Sequence, residues 1–175
     1  MNQRLIARAK RIRVAIFDVD GVMTDGTIRL TRHGEESKDF NILDGLGLKM
    51  LGASGIDLAL ISGRKSAVVA LRARETGIAH VLQGITDKLE TYQRLLRKLH
   101  LAEEESSYMG DDLPDLPVLR RCGLAFSVPD APPIVRSHAH VVTNRAGGRG
   151  AVREACEFLM QARGTLEGQM APYLT

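Results

Sequence analysis

A short apolar run that ends in two carboxylates and a glycine constrains this chain more than any other feature. The run is Val14–Phe17, and Asp18, Val19, Asp20 and Gly21 follow it directly. A continuous apolar run is typical of a strand buried on both faces of a parallel sheet. Ligands of open α/β sheets collect outside the carboxyl ends of such strands, so the segment predicts an anionic site there. The alternative interpretation is that the two carboxylates only cap a turn or the following helix.

Three further segments place polar groups near the ends of predicted elements. The apolar run 58–61 leads into Ser62, Gly63 and Arg64, whose hydroxyl and amides would cradle an oxyanion or a phosphate at the next helix start. Lys88 lies near the start of a segment with apolar residues at helical spacing, where it offers a positive charge. A further short strand, 107–109, is followed by Gly110 and by three carboxylates, those of Asp111, Asp112 and Asp115.

The hydrophobic periodicity predicts alternating helices and strands. Helices are expected over 43–54, 66–76, 85–99, 113–121, 131–137 and 150–163, and strands near 57–62, 79–82, 106–109, 123–128 and 140–143. Such alternation indicates a Rossmann-like three-layer α/β sandwich with a central parallel sheet and helices on both faces. Residues 1–175 are expected to form a single domain, with its core at about 12–163 and a C-terminal tail at 164–175.

The segment 25–40 predicts a small β-hairpin in place of a separate cap domain. Ile28 and Leu30 alternate with polar residues there, and Gly34 supplies a turn. A chain of 175 residues has a core of useful size but no surplus for a lid domain above the site. A two-stranded ribbon is marginally stable alone, so the hairpin is expected to pack against something.

The order of these segments resembles the haloacid dehalogenase superfamily of phosphotransferases. Its four motifs correspond to Asp18 with Asp20, to Ser62, to Lys88, and to Gly110–Asp115. The stretches 18–26, 40–47, 61–64 and 147–154 are also similar to those of the superfamily's sugar-acid phosphate phosphatases. This second similarity runs from about residue 12 to residue 163.

The resemblance implies a Mg²⁺-dependent phosphatase that hydrolyses 3-deoxy-D-manno-octulosonate 8-phosphate through an aspartyl-phosphate, in lipopolysaccharide precursor synthesis. Asp18 is expected to be the nucleophile and Asp20 the acid and base, while Ser62 and Lys88 hold phosphoryl oxygens. The metal ligands implied are Asp18, Asp111 and the backbone carbonyl of Asp20. Asp112 and Asp115 are expected to be partners of metal-bound water or of Lys88.

A sugar-acid phosphate carries a carboxylate besides its phosphate, so further polar and cationic groups are expected at the site. The candidates for substrate binding are Arg64, Arg72, Arg149 and Thr24, although a solvated helix face is the alternative for Arg72. Relatives acting on nine-carbon sugar acids can carry an acidic residue where this chain has Arg64. Arg64 therefore favours the eight-carbon substrate, and a nine-carbon sugar-acid phosphate stays the alternative.

The resemblance also implies a homotetramer in which neighbouring subunits cover the active sites. No apolar stretch is long enough to span a membrane, and the basic N-terminal segment lacks the apolar core of a signal peptide, so a cytoplasmic protein is expected. The formal charge is +3, but the chain has only four Phe, three Tyr and no Trp. Because no nucleic-acid motif accompanies this charge, the basic groups are expected to serve an anionic substrate.

Two alternatives from other functional classes stay open. A receiver domain of a signalling system also brings carboxylates, a hydroxyl, a lysine and Mg²⁺ to strand ends. Its phosphoacceptor aspartate, however, lies on a middle strand, where this chain has Ser62. The other alternative is a phosphatase-like regulatory subunit that has lost its activity.

Overall fold

Six parallel strands form the central sheet of the protein. The computed structural model describes residues 2–174. The sheet has the order β5-β4-β1-β6-β7-β8, and β2 pairs with β3 in a separate antiparallel hairpin. The strands are β1 (Val14–Phe17), β2 (Arg29–Leu30), β3 (Glu36–Ser37), β4 (Asp57–Ser62), β5 (His80–Gln83), β6 (Ser106–Met109), β7 (Leu124–Ser127) and β8 (Val141–Val142).

Helices cover both faces of this sheet. Their bounds are α1 (Gln3–Arg11), α2 (Ile42–Ala53), α3 (Ala67–Thr76), α4 (Lys88–Leu99), α5 (Leu116–Leu119), α6 (Pro133–Arg136), α7 (Ala151–Arg163) and α8 (Leu166–Met170), with 3₁₀ turns at Glu103–Glu105, Leu113–Asp115 and Ala171–Tyr173. Helix α7 packs between α1 and α2, whereas α4 packs against α5. The predicted three-layer α/β sandwich is confirmed, and so is the small hairpin. Within residues 2–174, no helix combines the length and the apolar character that crossing a membrane requires.

The strand order determines where a ligand can bind. Strand β1 lies between β4 and β6, in register with both, and the backbone N–H of Asp18 donates to the carbonyl of Met109 at 2.9 Å. The chain first builds the sheet outward from β1 through β4 and β5, and then returns to the other side of β1 with β6. In α/β sheets this change of direction opens a crevice at the carboxyl ends of the strands.

The hydrophobic core lies on both sides of the inner strands. All four residues of β1, β6 and β7 are buried, and Tyr92, Tyr108, Phe17 and Phe126 are its largest buried side chains. Phe126 meets Phe158 of α7 edge to face, with 5.6 Å between the ring centroids. The strands therefore form a rigid base for the loops that leave their carboxyl ends.

The two ends of the chain are more ordered than the sequence interpretation expected. Helix α1 precedes the expected core boundary at residue 12, yet Ala9 is fully buried and Arg8 donates to the carbonyl of Gly123 at 2.6 Å. The segment expected as a tail, 164–175, contains α8, which packs on α7 through the partly buried Leu166. In both segments, packing against α7 stabilises a helix. The single-domain assignment itself stays a prediction.

Candidate active site

The loop after β1 holds Asp18 at the mouth of the crevice. Asp18 is buried, and its burial, followed by the nearby charge of Asp115, raises its pKa to about 7. Gly21 has a φ of 88°, and a Cβ there would overlap the carboxylate of Asp111. Only glycine therefore allows the loop to pass this close to Asp111.

Lys88 is the cation that faces Asp18. Asp87 caps α4 by accepting from the N–H of Glu90 at 2.9 Å, which makes Lys88 the first residue of that helix. Its Nζ lies 3.0 Å from Oδ1 of Asp18 and 2.6 Å from Oδ1 of Asp115. Burial alone would lower the pKa of Lys88, but the charges and hydrogen bonds of the two carboxylates raise it on balance. The lysine is therefore held as a cation between them.

Asp115 accepts four hydrogen bonds and has no exposed surface. Its Oδ1 accepts from Lys88 and from the hydroxyl of Tyr108, both at 2.6 Å. Its Oδ2 accepts from the backbone N–H groups of Asp111 and Asp112 at 3.1 and 3.2 Å. Both oxygens are thus occupied within the protein, so Asp115 positions its neighbours and is not free to bind a metal.

Asp111 is the carboxylate that lacks partners. Among the described residues its Oδ1 is one of two buried side-chain oxygens without a hydrogen bond, the other belonging to Asp44. Burial, followed by the charges of Asp18 and Asp115, raises the pKa of Asp111 to about 8. Carboxylate oxygens of Asp18, Asp111 and Asp115 all lie within 4.8 Å of one another. An orphaned buried oxygen beside a second carboxylate fits a hard divalent cation such as Mg²⁺, with Asp18 and Asp111 as its ligands.

Ser62 and Arg64 line the same cleft. The cleft has a volume of about 450 Å³ and is also lined by Asp18, Asp20, Lys88 and Asp111. Ser62 ends β4, is buried, and its backbone carbonyl accepts from the N–H of Ile85 at 3.2 Å. The structure thus brings together the residues from all four predicted motifs.

The hairpin adds a residue that the sequence interpretation missed. The Nζ of Lys38 makes an ion pair with Oδ1 of Asp20 and lies 3.2 Å from Oε1 of Glu36. The Lys38 side chain is only 2% exposed. The polar segment 31–39 gave no signal for it, because nothing in the local sequence indicates that its single lysine reaches Asp20.

Two of the candidate substrate contacts, Thr24 and Arg72, have partners within the protein, and so does Asp112, an expected partner of metal-bound water or of Lys88. The hydroxyl of Thr24 is buried and accepts from the N–H groups of Gly21 and Gly26 at 3.4 and 3.2 Å, so it orders the loop. The guanidinium of Arg72 is also occupied, since it donates to the carbonyl of Asn41 at 2.9 Å and to Glu75 at 2.8 Å. Exposed Asp112 caps the next turn by accepting from the N–H of Leu113 at 2.8 Å, and its role as a partner of metal-bound water stays a prediction.

Arg149 lies next to the main cleft. It lines a smaller cavity of about 250 Å³ together with Gly21, Asp25 and Asp111. Gly147 approaches the loop after β1 so closely that a Cβ would overlap the carbonyl of Gly21. Arg149 stays a predicted substrate contact, in a cavity that shares Asp111 with the main cleft.

The fold and the site define a phosphotransferase of known architecture. A model of the haloacid dehalogenase-like hydrolases matches residues 67–154. The chain is also 48% identical over 164 residues to the 3-deoxy-D-manno-octulosonate 8-phosphate phosphatase KdsC of Yersinia pestis, an alignment that covers 94% of this chain and 88% of that relative. The chain therefore belongs to the haloacid dehalogenase-like hydrolases.

Two solved structures share nearly the whole fold. One is a probable YrbI family phosphatase from Pseudomonas syringae, with a TM-score of 0.97, 51% identity and 99% of each chain covered. The other is the 3-deoxy-D-manno-octulosonate 8-phosphate phosphatase of Moraxella catarrhalis in complex with magnesium, phosphate and KDO. It also has a TM-score of 0.97 and 99% coverage of each chain, at 41% identity.

Proposed function

We propose that this protein is a Mg²⁺-dependent phosphatase that hydrolyses 3-deoxy-D-manno-octulosonate 8-phosphate. The observation that carries the proposal is the single cleft lined by Asp18, Asp20, Ser62, Lys88 and Asp111. The relative from Moraxella catarrhalis, whose structure contains magnesium, phosphate and KDO, supports both the reaction and the substrate. The product would enter lipopolysaccharide precursor synthesis.

In the first half of the proposed reaction, Asp18 attacks phosphorus. A bond forms between a carboxylate oxygen of Asp18 and phosphorus, and the bond from phosphorus to the sugar oxygen breaks. Asp20 donates its proton to that oxygen, so the sugar leaves as a neutral alcohol. Lys88, 3.0 Å from Asp18, offsets the negative charge that the nucleophile and the phosphate bring together.

In the second half, water attacks the aspartyl-phosphate. Asp20 takes a proton from the water, the new oxygen–phosphorus bond forms, and the bond to Asp18 breaks to release inorganic phosphate. Ser62 and the Gly63 amide hold phosphoryl oxygens through both halves. Mg²⁺, held by Asp18, Asp111 and the Asp20 carbonyl, would supply charge neutralisation that allows one anion to approach another.

Arg64 supports the assignment of the eight-carbon substrate. It lines the cleft next to Ser62 and is half-exposed, so its guanidinium can meet the carboxylate end of a bound sugar acid. Arg149 would approach the substrate from the smaller cavity.

A homotetramer and a cytoplasmic location are parts of the same proposal. Leu30 of the hairpin is 61% exposed and Ile42 at the start of α2 is 81% exposed, and these are apolar side chains that a neighbouring subunit would cover. Sedimentation equilibrium tests this, since a monomer with full activity would contradict it. The free buried thiols of Cys122 and Cys156 are typical of a reducing compartment.

The experiment that tests the function is release of phosphate with Mg²⁺ from 3-deoxy-D-manno-octulosonate 8-phosphate. Nine-carbon sugar-acid phosphates and an aryl phosphate serve as comparison substrates, and Asp18→Asn is the matched inactive control. We expect the eight-carbon substrate to have the highest kcat/KM. Preference for a nine-carbon substrate would retain the mechanism and replace the substrate. Release from none of them, under conditions in which the protein is folded, would refute the proposal.

A further inference from the structure

A buried lysine of the hairpin contacts the carboxylate that the proposed mechanism uses as acid and base. Lys38 follows β3, and its Nζ pairs with Oδ1 of Asp20. The Asp20 side chain is 22% exposed toward the cleft, whereas that of Lys38 is 2% exposed. Removing an ammonium group from water costs several kcal/mol unless partners compensate, so a lysine this buried is not an ordinary surface lysine.

The partners of Lys38 form a connected set that ties the hairpin to the cleft. Oε1 of Glu36 lies 3.2 Å from Nζ of Lys38 and 3.2 Å from NH2 of Arg64. A hydrogen bond from the side chain of Ser66, ahead of those from Lys38 and Arg64, lowers the pKa of Glu36. Strand β3 is thereby fixed to the loop that follows β4 and begins directly after Ser62.

The two oxygens of Asp20 have different environments. Oδ1 is bound by Lys38, whereas Oδ2 lies 3.9 Å from Nε of Arg64, beyond hydrogen-bond distance. Oδ2 is therefore the oxygen left to carry the proton. A general acid must lie within hydrogen-bond reach of the atom it protonates, so the direction in which this oxygen points determines its efficiency.

We infer that Lys38 is a positioning residue, which holds Asp20 by Oδ1 so that Oδ2 delivers its proton to the leaving oxygen. The inference rests on the proposed phosphatase function. It gives the hairpin a chemical task in addition to covering the cleft, because docking of β3 is what brings the ammonium group to Asp20. The step affected is proton transfer from Asp20 to the bridging oxygen as its bond to phosphorus breaks.

The test compares two substrates that differ in one atom. One is 3-deoxy-D-manno-octulosonate 8-phosphate, and the other carries sulfur in place of the bridging oxygen. A thiol has a pKa of about 8.5 and leaves as an anion, whereas an alcohol, which like water has a pKa near ~15.7, needs a proton. The value of kcat/KM covers the steps through departure of the leaving group, so the ratio between the substrates reports on the acid.

We expect Lys38→Met to lower kcat/KM for the oxygen substrate by about 10- to 100-fold, part of the ~10²–10⁴-fold that a general acid contributes. For the sulfur substrate, Lys38→Met should lower kcat/KM by less than about threefold. Lys38→Arg should restore most of the wild-type ratio of kcat/KM between the two substrates. Lys98→Met, which changes an exposed lysine of α4, is the matched control and should behave like the wild type. Both rates come from one sample, so partial unfolding of a variant cancels in the ratio.

Equal losses on both substrates would overturn the inference, because they would mean that Lys38 contacts the sugar acid or only supports the fold. If Lys38→Met leaves kcat/KM unchanged for both substrates, the inference is overturned as well. In either case the wild-type enzyme still hydrolyses the oxygen substrate, so the proposed function stands. If the wild type hydrolyses neither substrate, the proposed function itself fails, and the inference fails with it.

Discussion

Replacing Asp115 by alanine tests the claim that this carboxylate organises the site from beneath. The change removes four hydrogen bonds at once, those from Lys88, Tyr108 and the N–H groups of Asp111 and Asp112. Lys88 would keep only Asp18 as a partner, and the Tyr108 hydroxyl would lose the acceptor it has in a fully buried position.

Opposing contributions determine how far Asp115→Ala lowers the free energy of unfolding. Hydrogen bonds to a charged group contribute roughly 1.5–3 kcal/mol each, but these four share one carboxylate and do not add. In the wild type, the charge of Asp115 repels Asp18 and Asp111 and adds to the increase in pKa that burial causes in both. Removing Asp115 relieves this repulsion. Breaking a buried pair typically costs about 3–5 kcal/mol, and we adopt that range for Asp115→Ala.

The assay is thermal unfolding followed by circular dichroism, with and without Mg²⁺. In a protein of this size, 1 kcal/mol shifts Tm by about 2–4 °C, so Asp115→Ala should lower Tm by roughly 6–20 °C. Asp112→Ala is the matched control, because Asp112 is exposed and only caps a turn, at a cost of about 1 kcal/mol. Activity of Asp115→Ala should fall by about 10- to 100-fold. Equal Tm values for the two variants would refute the reasoning.

Three further predictions concern the proposed nucleophile and the metal ligands. Asp18→Asn should lower phosphate release by at least ~10³-fold with an unchanged circular dichroism spectrum, and retained activity would exclude Asp18 as nucleophile. Burial raises the folded-state pKa of Asp18 to about 7 and of Asp111 to about 8, so the folded protein binds more protons than the unfolded chain between the ordinary value of 3.8 and these values. In EDTA the Tm of the wild type should therefore fall relative to that of Asp111→Asn as the pH rises from 4 to about 8, and Mg²⁺ should reduce this relative fall. A wild-type Tm that rises relative to the variant over this range would contradict the assignment. Gly21→Ala should raise the Mg²⁺ concentration needed for half-maximal activity, because the new Cβ would displace the carboxylate of Asp111 and φ is 88° at this residue. An unchanged Mg²⁺ titration of activity would contradict this prediction.

The chain's local patterns were sufficient for the fold and for most of the residues that line the cleft. Apolar runs followed by polar groups marked the ends of β1, β4 and β6, and parallel strands bring such ends to one edge of a sheet. The patterns were not sufficient for the ends of the chain. Helices α1 and α8 are both stabilised by packing on α7, and the residues within each helix do not indicate that α7 will pack against it.

Local sequence gives the least information about side chains whose partners lie elsewhere in the fold. Residue type alone makes Arg72 a candidate for substrate binding, whereas in the fold its guanidinium donates to the carbonyl of Asn41, 31 residues away. Thr24 has a hydroxyl that the loop itself uses. Lys38 gave no signal, because its importance comes from the docking of the hairpin beside Asp20.

The sequence by itself determined the α/β class, the order of the strands along the chain, and which carboxylates, hydroxyl and lysine stand at the strand ends. These follow from hydrophobic periodicity and residue type, which are local properties. Only the tertiary structure decided which carboxylate is free for a metal and which is consumed by hydrogen bonds. Asp111 and Asp115 are four residues apart and chemically identical, yet Asp115 meets Lys88 and Tyr108, whereas Oδ1 of Asp111 is left without a partner. That difference arises because hydrogen-bond satisfaction depends on groups brought together from separate elements of the fold.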